Sequence, residues 1–245
     1  MKKNGRNGKD FLRLIWGKAL PSAGIFRFEL SRKAAQELLR LAAARHEISI
    51  LNYCILPGEI IILADASSEK TASLTRSLFA MTSKMHNIRK HHEGACWKGR
   101  QHIALIQKSG FLDAALSAID ILPVERKFVR HPSEWKCSGF QELAGIRERY
   151  RIIDRKNICR LSGFKDYADF SRLHLSQMES LLKNRDSHCF PLDALAVGDD
   201  RKIRTVANLL PRRLGEVRSC KIHGRPDAKA LFVSKRWGQS VSRNI

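Results

Sequence analysis

Between Ile48 and Asp65 two apolar runs, Ile48–Leu56 and Glu59–Asp65, are separated only by Pro57-Gly58. Runs of this length rich in Ile and Leu and bounded by turn residues read as strands, and a Pro-Gly joint between them makes a tight turn. The segment is therefore expected to be an antiparallel strand pair. Side chains two apart on a strand share a face, so Glu59 and Ile61 point to the same side of it.

The rest of the chain falls into place around this pair. Phe11–Trp16 has strand character. Ser31 can cap a helix reaching about Arg45, with Ala34, Ala35, Leu38, Leu39 and Ala42 as its buried stripe. A second helix is predicted from about Lys70 to Lys90, burying Leu74, Leu78, Met81, Met85 and Ile88, with Arg76, Lys84, Arg89 and Lys90 on its other face. A basic loop from His91 to Arg100 follows, then a short strand at His102–Gln107 and a helix over Gly110–Ile121 that stops before Pro123. Strand, helix, strand pair, helix, strand, helix is the order of an α+β domain: a ferredoxin-like antiparallel sheet with helices on one face.

Four regions are expected. Residues 1–10 form a basic arm and 11–148 the α+β domain. Residues 149–210 form a helical C-terminal extension, including a segment near 199–209, and 211–245 a basic tail of little periodicity, read as loosely ordered.

Charge narrows the partner. Forty-five Lys and Arg against 24 Asp and Glu leave a formal net charge of +21. An excess of that size points to a polyanion, most simply nucleic acid, whose phosphates reward each neutralising contact. The six cysteines include no C-x-x-C pair, which argues against a zinc site and against a disulfide framework. No run approaches the roughly 18 apolar residues of a membrane span, and the basic N-terminus leads into no apolar core. A cytoplasmic protein with reduced thiols is expected.

Several segments resemble REP-associated tyrosine transposases, the single-tyrosine branch of the HUH nucleases. Leu51–Ala64 is similar to the strand pair carrying that family's His-hydrophobe-His motif. Gly94, Trp97 and Arg100 match a Gly-x-x-Trp-x-x-Arg signature, and Ser117–Val124 resembles Arg-Tyr-Ile-x-Leu-Asn-Pro-Val. His131–Ser138 is similar to a run built on Pro, Trp and Ser, and Leu195–Asp199 looks like an Ala-Val-Gly segment of the longer members. The resemblance spans roughly residues 11–210 and implies the same ferredoxin-like plan.

It also implies a chemistry for which this chain lacks the residues. In the family two histidines hold Mg or Mn, which polarises the scissile phosphate, and a tyrosine attacks it. The matching positions here are Glu59, Ile61 and Ala118. No metal cofactor is therefore expected. What remains is binding of DNA, single-stranded or hairpin-forming, as monomer or homodimer. Candidate contacts are Arg76, Lys84, Arg89, Lys90, His91, His92, Trp97, Lys98 and Arg100, with Arg212 and Arg213 in the tail. Trp97 is open to two roles, loop anchor or base-stacking platform. Asp120 and Glu125 read as surface carboxylates at a helix end. Two alternatives stay open: a nuclease using Glu59 and a displaced tyrosine such as Tyr53 or Tyr150, and a binder of structured RNA.

Overall fold

Every apolar residue of the 48–65 hairpin needs cover on both sides, and the fold supplies it with one layer of helices on each face of a sheet. In the computed structural model, residues 10–91, 93–183, 190, 192, 194–199, 215–222 and 225–235 are described, the last two stretches as backbone. The strands are β1 (Phe11–Lys18), β2 (Ser49–Leu56), β3 (Glu59–Asp65), β4 (His102–Gln107), β5 (Ala194–Gly198), β6 (Gly215–Ile222) and β7 (Arg225–Lys235). The helices are α1 (Glu29–Arg45), α2 (Ser68–Lys90), α3 (Lys108–Glu125), α4 (Phe140–Leu143), α5 (Arg155–Ser162) and α6 (Tyr167–Lys183).

The strand order is β2-β3-β1-β4-β5-β7-β6. Its first four strands, joined as βαββαβ, are the ferredoxin-like plan. Strand register decides the faces. Gly17 and Tyr53 belong to one: a Cβ on Gly17 would lie 2.0 Å from the Phe79 ring of α2, and the Tyr53 hydroxyl bonds Gln36 of α1. Asn52 looks the other way and donates to the Leu116 carbonyl of α3 at 3.0 Å. So α1 and α2 cover one face, and α3, added after β4, covers the opposite one.

Several elements differ from the sequence expectation for identifiable reasons. α1 begins at Glu29, with Phe28 rather than Ser31 at its N-cap. α2 begins at Ser68, where the Ser67 side chain accepts from Lys70 N. Its buried stripe runs through Thr71, Leu74, Thr75, Leu78, Phe79, Thr82 and His86, while Ile88 is 64% exposed. The threonines can be buried because their hydroxyls bond back to the helix: Thr71 to the Ser67 carbonyl at 2.7 Å and Thr75 to that of Thr71 at 2.9 Å.

α3 continues through Pro123 to Glu125. One proline in the last turn removes a single donor, and Arg126 N restores the ladder by donating to the Leu122 carbonyl at 2.8 Å. At its other end Gly110, at φ 83°, breaks the first residues from the helix proper.

The C-terminal third departs most. Residues 149–183 supply α5 and α6, as the short-helix pattern predicts. β5 then joins β4 in parallel (Leu105 opposite Ala196), and β6 and β7 form an antiparallel hairpin on its far side. The 211–245 stretch thus contributes two strands where a loosely ordered tail was expected; its few apolar residues stand among basic ones and mask the alternation. The segment 200–209 lies outside the described residues.

Candidate nucleic-acid interface

Of the three positions where the resembling family keeps its chemistry, two share one face of the sheet and the third is on the helix that covers that face. Glu59 and Ile61 lie on β3 on the side that α3 covers, and α3 carries Ala118. Ile61 is fully buried, with Trp16 of β1 and Cys54 of β2 as its direct cross-strand partners. Ala118 is buried as well. Glu59 is engaged: it accepts from the Trp16 indole at 3.0 Å and pairs with Arg126, past the end of α3, at 3.5 Å. It is half-buried and partnered.

A divalent ion does not fit this set. One carboxylate remains, already paired with the chain's own cation, and Ile61 has no donor. The Cys54 thiol is fully buried, and burial, more than the neighbouring acids, pushes it well above its ordinary range, so it offers no thiolate. Among the described residues no three His, Cys, Asp or Glu side chains converge as ion ligands.

Neither of the two tyrosines considered as replacements stands beside Glu59. Tyr53 is on the opposite face and fully buried, its hydroxyl donating to Glu142 at 3.0 Å, and burial raises its pKa far above the ordinary phenol value. Tyr150 is 80% exposed, beyond α4. The chain's third tyrosine, Tyr167, donates to the Glu142 carbonyl at 3.1 Å, and burial pushes its hydroxyl up to about 12.

The basic surface lies beside Glu59, at the same end of these strands, where Lys18 is its direct cross-strand partner. β1 extends past Lys18 to pair with the 96–98 segment: Leu20 N donates to the Cys96 carbonyl at 2.9 Å and Lys98 N to that of Lys18 at 2.8 Å. Asn87 clips this segment to the end of α2, donating to the Gly94 carbonyl at 3.0 Å and accepting from the Cys96 thiol at 3.1 Å. Trp97 is the anchor. It is 9% exposed, edge-on to Phe79 with ring centroids 4.6 Å apart, and donates to the Phe79 carbonyl at 3.2 Å. A ring so placed cannot stack on a base, which corrects its inclusion among the contact residues. Its burial instead presents Lys98 and Arg100, both exposed, at the surface.

Arg76, Lys84, Arg89, Lys90 and His91 are exposed along α2 and its C-terminus. His92, Arg212 and Arg213 lie outside the described residues. Sequence reasoning missed three contributors, Lys18, Arg27 and Phe28. The signal available was the Phe26-Arg27-Phe28 alternation just before a helix. Lys18 Nζ sits 3.9 Å from the centre of the Trp16 ring. Phe28 is 56% exposed between two cations, Lys90 Nζ at 5.1 Å and the Arg27 guanidinium at 6.0 Å from its ring centre.

Two surface clefts meet at Ile25. One, about 500 Å³, is bordered by Lys18, Arg27, Glu59 and Lys98. The other, about 380 Å³, runs between Phe28 and Leu30 on one side and Met85, His86, Arg89 and Lys90 on the other.

Asp120 also needs correcting. It is fully buried, accepting from Asn52 at 3.0 Å and lying 2.8 Å from His174 Nε2 on α6. Burial holds its carboxyl above the ordinary range, and the bonds to His174 and Asn52 pull the other way. The partners that take it inside are 68 and 54 residues away, so no local pattern showed it.

No protein-family model and no curated protein matches this sequence. Among solved structures the chain is similar to a REP-associated tyrosine transposase bound to a REP hairpin, at 15% identity and a TM-score of 0.45, over 62% of this chain and 90% of that one.

Proposed function

We propose that this protein binds DNA in single-stranded or hairpin form and does not cleave it. The observation that carries the reading is a run of cations without carboxylate partners. Among the described residues no ion pair engages Lys18, Arg27, Arg76, Lys84, Arg89, Lys90, Lys98 or Arg100. Exposed charges left unneutralised, among them Lys18, Arg27, Arg89, Lys90 and Lys98 around two adjoining clefts, gain most from a polyanion, and the release of its counterions drives the association.

The absence of cleavage rests on the site beside that surface. An attacking phenol and a metal would be needed at positions filled by Ala118, Ile61 and a Glu59 already paired with Arg126. The motif resemblance around Gly94, Trp97 and Arg100 supports DNA over other polyanions, because the matching segment is the one that presents Lys98 and Arg100. The test is a native shift of labelled hairpin DNA over a salt series. Binding should weaken steeply with salt, log K falling by about 0.7 to 0.9 per phosphate contact for each unit of log salt, and should be indifferent to chelator. Binding that needs a divalent ion, or that ignores salt, contradicts the reading.

A further inference from the structure

The N-cap of α1 is an odd place for an exposed phenylalanine. Capping favours Ser, Thr, Asp or Asn, whose side-chain oxygens accept from the first free amides; Phe28 makes no such bond and leaves 56% of its surface in water. Its neighbour Leu30 is 66% exposed. The two form one wall of the cleft of about 380 Å³ whose opposite wall, on α2, carries Arg89 and Lys90. An apolar wall facing two cations without carboxylate partners has the complementarity of a nucleotide: a flat π-face on one side and a phosphate on the other.

The approach to the ring is already defined by Lys90 and Arg27, whose charges lie near its centre. These are weak contacts at an exposed site, so a base can displace either cation and leave it to a phosphate. The rim of the cleft continues through Ile25 into the larger one bordered by Lys18, Arg27 and Lys98, giving a backbone a basic path in either direction.

From this we infer that Phe28 is a base-stacking platform, and that the cleft between it and the end of α2 takes one unpaired nucleotide of single-stranded DNA with Arg89 and Lys90 on its phosphate. The inference rests on the DNA-binding reading above and adds to it a preference for unpaired over fully paired DNA. Because every base has a π-face, the platform tolerates any sequence.

The experiment uses the full chain and two probes: a single-stranded oligothymidine carrying one 2-aminopurine, and a blunt duplex of equal length. Wild type should quench the 2-aminopurine. Phe28→Ala should weaken single-strand binding by about 5- to 100-fold, the range of a lost base stack, and lose the quench, with duplex binding unchanged. Phe28→Trp should keep both, which separates stacking from any loss of folding. If Phe28→Ala binds the single strand as wild type does, or weakens both probes equally, the platform is wrong while the DNA-binding reading stands. If wild type binds neither probe at low salt, both fall. Tighter binding of the matching oligouridine, with the same dependence on Phe28, overturns the assignment to DNA.

Discussion

Two populations of charge divide this molecule. On α1 and on the C-terminal helices several cations have acidic partners one turn away or across a loop: Lys33 with Glu29 at 2.9 Å, Arg40 with Glu37 at 2.5 Å, Arg155 with Glu148 at 3.1 Å and Arg172 with Asp169. Inside, Glu142 is fully buried and accepts from Arg147, Tyr53 and the amides of Ile152 and Ile153, the last two at 2.7 and 2.9 Å. Along α2 from Arg76 onward, in the 91–100 loop and at the end of β1 the cations have no such partners among the described residues, whereas Lys70 in the first turn of α2 pairs with Glu47 at 3.2 Å. The first population serves the fold. The second is held out to solvent, and the difference teaches that a net charge of +21 is informative only once the internally neutralised cations are set aside.

The sharpest way to break this division is to attack the buried member. Glu142→Ala should destabilise the fold by about 3–5 kcal/mol, because it strands the partly buried Arg147 guanidinium, the buried Tyr53 hydroxyl and two amides, as read from urea unfolding. A loss below 1 kcal/mol would show that Glu142 does not organise the 142–153 segment.

The converse comes from the surface. Arg89→Glu, Lys90→Glu and Lys98→Glu together should leave stability within about 0.5 kcal/mol and flatten the salt slope of DNA binding by about three, one for each lost phosphate contact. Arg172→Glu, on the paired side, should change neither. Equal weakening by Arg172→Glu would mean that the two populations do not differ in function.

A subtler distinction concerns Asp120. Burial raises its carboxyl above the ordinary 3.8, so the folded state holds this proton more tightly than the unfolded one. Its contribution is therefore fully present below 3.8 and is lost as pH rises through the elevated folded value. Asp120→Asn removes the titration, and the stability of wild type relative to the variant should fall as pH climbs from that limit. A gap that widens over the same range would reverse the sign assigned to burial.

Much of the fold was legible because its signals are local. The Pro57-Gly58 joint between two apolar runs fixes a hairpin, and the alternation of strands and helices then selects the ferredoxin-like order that the first four strands show. What escaped depends on distant partners. Trp97 stays open between loop anchor and stacking platform until Phe79 and Phe26 close on it, and Asp120 reads as a helix-end carboxylate until α6 brings His174. The α2 stripe differs because threonine, polar by type, is buried once its hydroxyl bonds a carbonyl of its own helix. The basic residues of the interface were legible as a set, but Lys18, Arg27 and Phe28 come from other segments and only the fold gathers them.

The central claim is that this surface holds DNA beside a site unable to cut it. Labelled hairpin DNA incubated with the protein and Mn²⁺, then run on a denaturing gel beside a native one, tests it most directly. A shifted band on the native gel, with full-length DNA and no protein-linked species after denaturation, is the predicted result. A cleaved product, or a covalent band surviving denaturation, would contradict it and require a nucleophile other than the residue at Ala118.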